Sequence, residues 1–262
     1  MNRKIMKLKV VKIGGKLIDD ASRLEKFLSA FAGLKGNKIL VHGGGSMASR
    51  LSLKLGIKPQ MVDGRRITTS KDIEIVTMVY AGWINKNMVA KLQHQGCNAL
   101  GLSGADAHVI SAHKRPVKEI DYGFVGDIDS VNATFIRELI QKKITPVFSA
   151  ITHDGKGNLL NTNSDTVAAE IAIAMSDAFD TELMYCFEKQ GVLENSEEAL
   201  SVIPVLDYFS YKVGAAEGFI HHGMIPKLHT GFDALKRNVS GVMIGNENIL
   251  DENVDVFTRL KL

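Results

Sequence analysis

The sequence predicts an α/β fold built on a largely parallel sheet. Apolar runs of period two alternate with stretches of period 3.6 for most of the chain, the mark of strands and helices wound in turn. The length of 262 residues, with 45% hydrophobic and 23% charged residues, supports a sizeable core and excludes a disordered chain. No linker, repeat or low-complexity segment divides it, so residues 1–262 read as one domain.

In chain order, Leu8 to Ile13 predicts a first strand, Leu24 to Phe31 a helix, Lys38 to Val41 a second strand and Ser46 to Leu55 a second helix. A longer helix opens at Thr69 or Ser70 with Asp72 in its first turn. Its apolar residues Ile73, Val76, Tyr80, Trp83 and Ile84 form a face broad enough for burial on two sides, including a subunit contact. The polar stretch from His113 to Lys118 reads as a solvated hairpin rim, with Pro116 at an edge, and Asp127 to Asp129 as a strand-end turn. Thr145 to Ile151 predicts a buried strand, Asp154 to Asn158 a turn, and Ser164 to Met175 an Ala-rich helix. Glu182 to Tyr185 and Gly241 to Ile244 complete the strands.

Several function classes are excluded early. The 32 basic and 29 acidic residues leave a net charge of +3, too little to argue for nucleic acid. Lysines interrupt the N-terminus where a signal peptide needs apolar residues, and no run is long enough to span a membrane, so a cytoplasmic protein is expected. Cys97 and Cys186 are isolated and read as reduced core residues. The eight histidines form no zinc motif, and no protein-ligated metal is expected.

Four places break local rules. Strand parity sets Lys12 beside Leu8 and Val10 at a position that calls for an apolar residue, directly before Gly14 and Gly15. Val41-His42-Gly43-Gly44-Gly45-Ser46 runs from a strand through three glycines into a helix, a start whose N–H groups suit an anion. Asn161-Thr162-Asn163-Ser164-Asp165 supplies more polar groups than a helix cap needs. In Gly223-Met224-Ile225-Pro226-Lys227 a cation occupies the first turn of a helix, where the dipole disfavours it and an anionic ligand would compensate. Neither a P-loop nor a Gly-x-Ser-x-Gly elbow occurs. Cations, glycine turns and amides without an evident nucleophile describe a site for phosphoryl transfer. A rival reading takes Gly43, Gly45 and Ala48 as a dinucleotide fingerprint, with Asp63 about 20 residues on as the ribose acid.

Taken together, Lys12-Ile13-Gly14-Gly15, His42 to Gly45, Asp63-Gly64-Arg65-Arg66-Ile67-Thr68, Asn161 to Asp165 and Gly223 to Lys227 resemble the amino acid kinase family, and within it the members that phosphorylate acylglutamates. The motifs fall in family order, and Thr258-Arg259 also fits, so the likeness covers essentially the whole chain. The resemblance implies a three-layer α/β/α sandwich. An N-terminal lobe of residues 1–175 or so would hold an N-acylglutamate, and a C-terminal lobe from about 176 to 262 would hold ATP with Mg2+. The implied reaction makes an acyl phosphate in arginine biosynthesis. By the same resemblance, Lys12 and Lys227 offset charge on the phosphoryl group and Asp165 orients them. Gly43, Gly44, Gly45, Arg66, Asn161 and Asn163 bind the acylated amino acid. Gly14, Gly15, Glu188, Gly191 and Met224 face the nucleotide, and the metal is held mainly through its phosphates.

The chain departs from the family pattern in places. Phe187-Glu188 stands where the family has Ser/Thr-Asp, His222 precedes Gly223 where a second glycine is common, and Arg65 replaces an apolar residue. An extra cation at Arg65 favours a dicarboxylic acyl group such as succinyl over acetyl. The few residues before the first strand, set beside relatives with an N-terminal helix, predict a homodimer insensitive to arginine. N-acylaminoadipate is an alternative acceptor, and a non-catalytic binding protein is an alternative class.

Overall fold

A computed structural model describes every residue except 1–5, 63, 196, 197, 199, 219, 221–223 and 252. Asp63, His222, Gly223 and the first lysine of the chain, all read above, therefore lie outside the described residues.

The chain opens with β1 (Lys7–Ile13), α1 (Gly15–Asp19), α2 (Ala21–Gly33), β2 (Asn37–His42) and α3 (Gly45–Lys54). A two-stranded ribbon, β3 (Gln60–Val62) and β4 (Arg65–Ile67), leads to α4 (Ser70–Thr77). Thr69 and Asp72 close a reciprocal capping box at the start of α4, as the Thr-x-x-Asp spacing predicts. The helix continues through a π-helical turn, Met78–Ile84, into α5 (Asn85–His94).

Next come β5 (Ala99–Leu102), β6 (Ile110–Lys114), β7 (Gly126–Val131), α6 (Ala133–Gln141), β8 (Thr145–Ser149), β9 (Ile151–His153), β10 (Leu159–Asn161) and α7 (Ser164–Ser176). The chain closes with β11 (Asp180–Cys186), β12 (Val205–Asp207), α8 (Tyr208–Glu217), α9 (Ile225–Lys236), β13 (Gly241–Gly245) and β14 (Thr258–Lys261).

Eight strands form the central sheet in the order β12-β14-β13-β11-β1-β2-β8-β5, parallel except for the β13–β14 pair. Four others, β10-β9-β6-β7, make a smaller sheet. Parity along β1 explains the layers. Leu8 and Val10 join Ile39, Val41, Leu183 and Val242 against the Ala168, Ile171 and Ala172 face of α7. Val11 and Ile13 join Leu40, Met184 and Met243 against Phe27, Leu28 and Phe31 of α2 on the other side. Helices therefore cover both faces, and the strands are buried on both, which is the sandwich expected.

The connection from β1 goes to β2 on one side, whereas β11 returns to pair with β1 on the other. The order reverses at β1, and ligands of open α/β sheets bind beyond the carboxyl ends of strands at such a point. Lys12 and Gly14, His42 to Gly44, and Phe187 with Glu188 all stand at those ends.

Three sequence expectations need correction. Thr145 to Ile151 is not one strand, because the chain turns at the buried Ala150 from the central sheet into the smaller one. Asp127 and Asp129 lie within β7 instead of in a turn, where Asp127 pairs with Arg115 and Asp129 with His113. Arg115 accordingly leaves the solvated rim and folds inward. Trp83, counted on the buried face of its helix, is 65% exposed in the single chain, because the π-helical turn rotates it outward from Tyr80 and Ile84. Among the described residues no helix is long and apolar enough to cross a membrane.

Candidate active site

At the carboxyl end of β1, Lys12 turns its ammonium toward the first turn of α7, where Asp165 stands. Lys227, in the first turn of α9, reaches the same carboxylate. The Lys12 Nζ lies 2.8 Å and the Lys227 Nζ 2.9 Å from Asp165 Oδ1. The three side chains are 9%, 8% and 14% exposed, respectively, so the cluster is shielded yet open at one edge.

Burial alone would raise the Asp165 carboxyl, but the two lysines hold it well below the usual carboxylate range, and it stays ionised. Burial, aided by the Lys12 charge and opposed by Asp165, lowers Lys227 to about 8. The Lys227 ammonium also sits 4.7 Å over the ring of Tyr185, whose hydroxyl donates to the Asp165 carbonyl or shares a bond with Thr230 at 2.9 Å. Two cations against one carboxylate leave an excess positive charge, the charge an incoming phosphoryl group would meet.

Two cavities flank this cluster and share Gly15, Gly45 and Ser46 in their walls. The first, of about 470 Å3, is lined by Gly43, Gly44, Arg66, Asn161 and Asn163, with Arg65, Arg115, Ser49 and Tyr80 also facing it. The second, of about 540 Å3, is lined by Gly14, Lys16, Phe187, Glu188, Gly191, Met224 and Lys227.

Arg66, on β4, is 6% exposed and spans to α3, where Nη2 donates to Gly45 O at 3.1 Å and to Ser49 Oγ at 2.5 Å. Its Nη1 is buried without a hydrogen-bond partner and lies 3.8 Å from Asp72 Oδ1. Asp72 Oδ1 is buried and unpaired as well, so the two groups form an ion pair that holds the guanidinium against α4 as well as α3. Asn161 Nδ2 donates to Thr68 Oγ1 at 3.1 Å, tying β10 to the segment after β4. Asn163 is the N-cap of α7 and accepts the Asp165 and Thr166 N–H groups, so its side-chain oxygen is already engaged. By contrast α3 has Gly44 as its N-cap and no side-chain cap, which leaves its first N–H groups for a ligand. Glu188 pairs with Lys16 at 2.6 Å across the mouth of the second cavity.

A family model described as the amino acid kinase family matches residues 7–246. The chain belongs to the amino acid kinase family. Among the relatives of this amino acid kinase, the acetylglutamate kinase of Bacteroides fragilis is 49% identical over 255 residues, covering 97% of both chains. The acetylglutamate kinase of Cytophaga hutchinsonii is 50% identical over 261 residues, 98% of this chain and 99% of that one. The solved structure of smu.665 from Streptococcus mutans UA159 matches with a TM-score of 0.79 at 25% identity, over 97% of this chain and 98% of that one.

Each residue that the resemblance assigned to catalysis, the acceptor or the nucleotide falls on this cluster or a cavity wall, whereas Ala48 of the rival dinucleotide fingerprint and Thr258 and Arg259 do not. Residues the sequence reading passed over are Tyr185, Lys16, Arg115 and Ser46. Tyr185 looked like an ordinary strand residue, and only its hydroxyl, at a position the parity buries, signalled otherwise. Arg115 sat in a charge run whose signal was swamped by its neighbours. It is held by Asp127, with Nη2 to Oδ1 at 2.5 Å, while its Nη1 is buried and unpaired.

Proposed function

We propose that this chain transfers the γ-phosphoryl group of ATP to the side-chain carboxylate of an N-acylated glutamate, giving an acyl phosphate and ADP. The observation that carries this reading is the convergence of Lys12 and Lys227 on one oxygen of Asp165, between an arginine-lined cavity and a glycine-walled one. The names of the relatives, at about half identity over nearly the whole chain, support the same acceptor.

In this reading the acylglutamate occupies the first cavity, its α-carboxylate at the Arg66 guanidinium and its amide neighbourhood at Asn161 and Asn163. Gly43, Gly44 and Gly45 present N–H groups to the reacting carboxylate and the phosphoryl group. ATP occupies the second cavity, with Gly14 and Gly15 against its phosphates and Glu188, Gly191 and Met224 around the rest. One carboxylate oxygen attacks the γ-phosphorus, and the bond from that phosphorus to the bridging oxygen breaks, leaving the electron pair on ADP. Lys12 and Lys227 neutralise the oxygens of the group in flight, while Asp165 keeps the two ammonium groups charged and aimed.

The donor set of the second cavity fits a polyphosphate, since lysines and glycine N–H groups favour anions. Mg2+ held by the phosphates would supply further charge neutralisation there. With a lobe boundary near residue 175, the second cavity lies between the lobes, walled by Gly14, Lys16 and Gly45 from one and by Phe187, Glu188 and Lys227 from the other.

A dicarboxylic acyl group such as succinyl is the second reading, favoured by Arg65 and by Arg115, two further cations that line the cavity containing Arg66. We also read the exposed face of Met78 and Trp83, 55% and 65% exposed, as the contact of a homodimer, checked by light scattering of wild type and Trp83→Glu.

The test is acyl-phosphate formation trapped as the hydroxamate, with MgATP and N-acetyl-L-glutamate or N-succinyl-L-glutamate. Product from either is expected, and the ratio of rates assigns the acyl group. No product from both would refute the reading.

A further inference from the structure

Behind the glycine turn lies a buried polar chain that the reaction scheme does not use. His42, the last residue of β2, is fully buried. Its Nδ1 lies 2.9 Å from Gly43 O, and its Nε2 lies 3.0 Å from Asn85 Nδ2. A carbonyl only accepts, so Nδ1 carries the proton and Nε2 is the acceptor.

The Asn85 amide then spends both of its hydrogens, one on Nε2 and one on Val147 O at 2.9 Å. Its Oδ1 accepts from Lys86 Nζ at 3.2 Å, and Lys86 Nζ is also bonded to Gly101 O at 3.1 Å. The assignment leaves no member of the chain unsatisfied, and it admits one tautomer only. Burial, helped by the charges of Lys12 and Lys86, draws the imidazole down to about 4, so the ring stays neutral.

The surroundings are shaped around this chain. A Cβ on Gly101 would meet Asn85 Oδ1 at 1.9 Å, so only glycine leaves room for the amide. Asn85 directly follows the π-helical turn, and the turn presses Ile84 and Tyr80 onto Gly44, where an added Cβ would meet Ile84 Cδ1 at 2.3 Å. The turn thus supports the glycines from one side while its neighbour Asn85 holds His42 from the other.

The peptide unit explains what this achieves. Gly43 C=O and Gly44 N–H belong to one rigid plane and point in opposite directions. Glycine gives that plane little resistance to rotation, so something outside the turn must set it. We propose that His42 and Asn85 are positioning residues: by anchoring the Gly43 carbonyl inward, they aim the Gly44 N–H into the acylglutamate cavity for the transferring phosphoryl group. The inference rests on the kinase reading of the Gly43–Gly45 turn.

The test compares three substitutions at His42, with kcat and the KM for acylglutamate measured by hydroxamate trapping and folding followed by thermal unfolding. Asparagine sets an amide N–H near the position of Nδ1 and keeps the bond to Gly43, whereas glutamine reaches the position of Nε2 and keeps only the bond to Asn85. Leucine keeps neither. His42→Leu and His42→Gln are expected to lose kcat by roughly tenfold to a hundredfold, as a mispositioned group does. The acylglutamate KM should stay within a few-fold, because Arg66 is untouched, and His42→Asn should recover most of the lost kcat. Asn85→Leu should cost kcat as well, and the His42→Leu/Asn85→Leu double variant should cost no more than the worse single one. Equal losses in His42→Asn and His42→Gln, or undiminished kcat in folded His42→Leu, would overturn the inference while leaving the kinase reading intact. A wild-type protein that forms no acyl phosphate would overturn both.

Discussion

Lys12 and Lys227 meet through a single oxygen, for both ammonium groups reach Oδ1 of Asp165, at 2.8 and 2.9 Å. The two lysines come from positions 215 apart in the chain (227 minus 12), one at a strand end and one in a helix's first turn. Their shared anchor accounts for how two like charges are held close together in a shielded place. It also leaves one positive charge in excess for a ligand to neutralise.

Removing one lysine leaves a matched ion pair, so Lys12→Ala and Lys227→Ala should fold with a melting temperature near that of wild type. Turnover should fall about a hundredfold to a thousandfold, or ~3 to 4 kcal/mol, by analogy with a lost oxyanion donor. Steady-state kinetics on folded protein checks this, and near wild-type turnover in either variant would remove the lysines from the proposed mechanism.

Asp165→Asn should behave differently, because it leaves two buried ammonium groups without a counter-charge. A loss of about 3 to 5 kcal/mol of stability is expected, together with loss of turnover. Denaturant unfolding reads the first, and a variant as stable as wild type would show that the two charges are relieved by some other group.

The pH dependence follows from Lys227, which burial and the neighbouring Lys12 bring to about 8 against the pull of Asp165. A lysine is cationic below its pKa, so kcat/KM should be maintained below pH 8 and fall about tenfold per pH unit above it. Bound ATP is anionic and favours the charged form, so the limb in kcat should lie at higher pH than the limb in kcat/KM. A kcat/KM profile flat to pH 10 would contradict the role of Lys227.

Arg66→Lys keeps the charge but loses the planar guanidinium that bonds Gly45 and Ser49, pairs with Asp72 and lines the first cavity. The acylglutamate KM should rise by roughly tenfold to a hundredfold, as expected for a lost bond to a charged group, with a smaller change in kcat. An unchanged KM would assign the substrate carboxylate to another residue, with Arg115 the next candidate.

Gly44→Ala tests the close approach at the turn. The added methyl would lie 2.3 Å from Ile84 Cδ1 and 2.9 Å from Tyr80 Cδ1, so the turn must shift. Turnover should fall while ATP binding, measured by calorimetry, stays within a few-fold. Restoration by a second substitution, Ile84→Ala, would attribute the loss to that contact.

The legible part of this protein lay where a residue contradicted its neighbourhood. Lys12 occupied an apolar slot in a strand, three glycines interrupted the entry to α3, and Lys227 stood at the wrong end of a helix dipole. Each such conflict has a local cost, which an anionic ligand bound there would offset. Strand parity likewise set out the two faces of β1, because one residue's slip would turn every core side chain to the wrong layer.

Tyr185, Asn85 and Arg115 were not legible, because each looks ordinary in its own segment. A tyrosine in a strand, an asparagine in a helix and an arginine in a basic run have local explanations that suffice. Only the fold brings the Tyr185 hydroxyl to Thr230, the Asn85 amide to His42 and the Arg115 guanidinium to Asp127. The same holds for the exposure of Trp83, since the 3.6 period assumes an unbroken α-helix and the π-helical turn changes the angular step.

By itself, then, the sequence determined the alternation of elements, the central parallel sheet and most of the residues at its carboxyl edge, since periodicity and local conflict are properties of neighbours along the chain. The tertiary structure alone decided that Lys12 and Lys227 share one oxygen, that a buried histidine stands behind the glycine turn, and that Arg66 is held between α3 and Asp72. Those are distances and orientations between segments far apart in sequence, and the packing of helices onto the two faces of the sheet is what sets them.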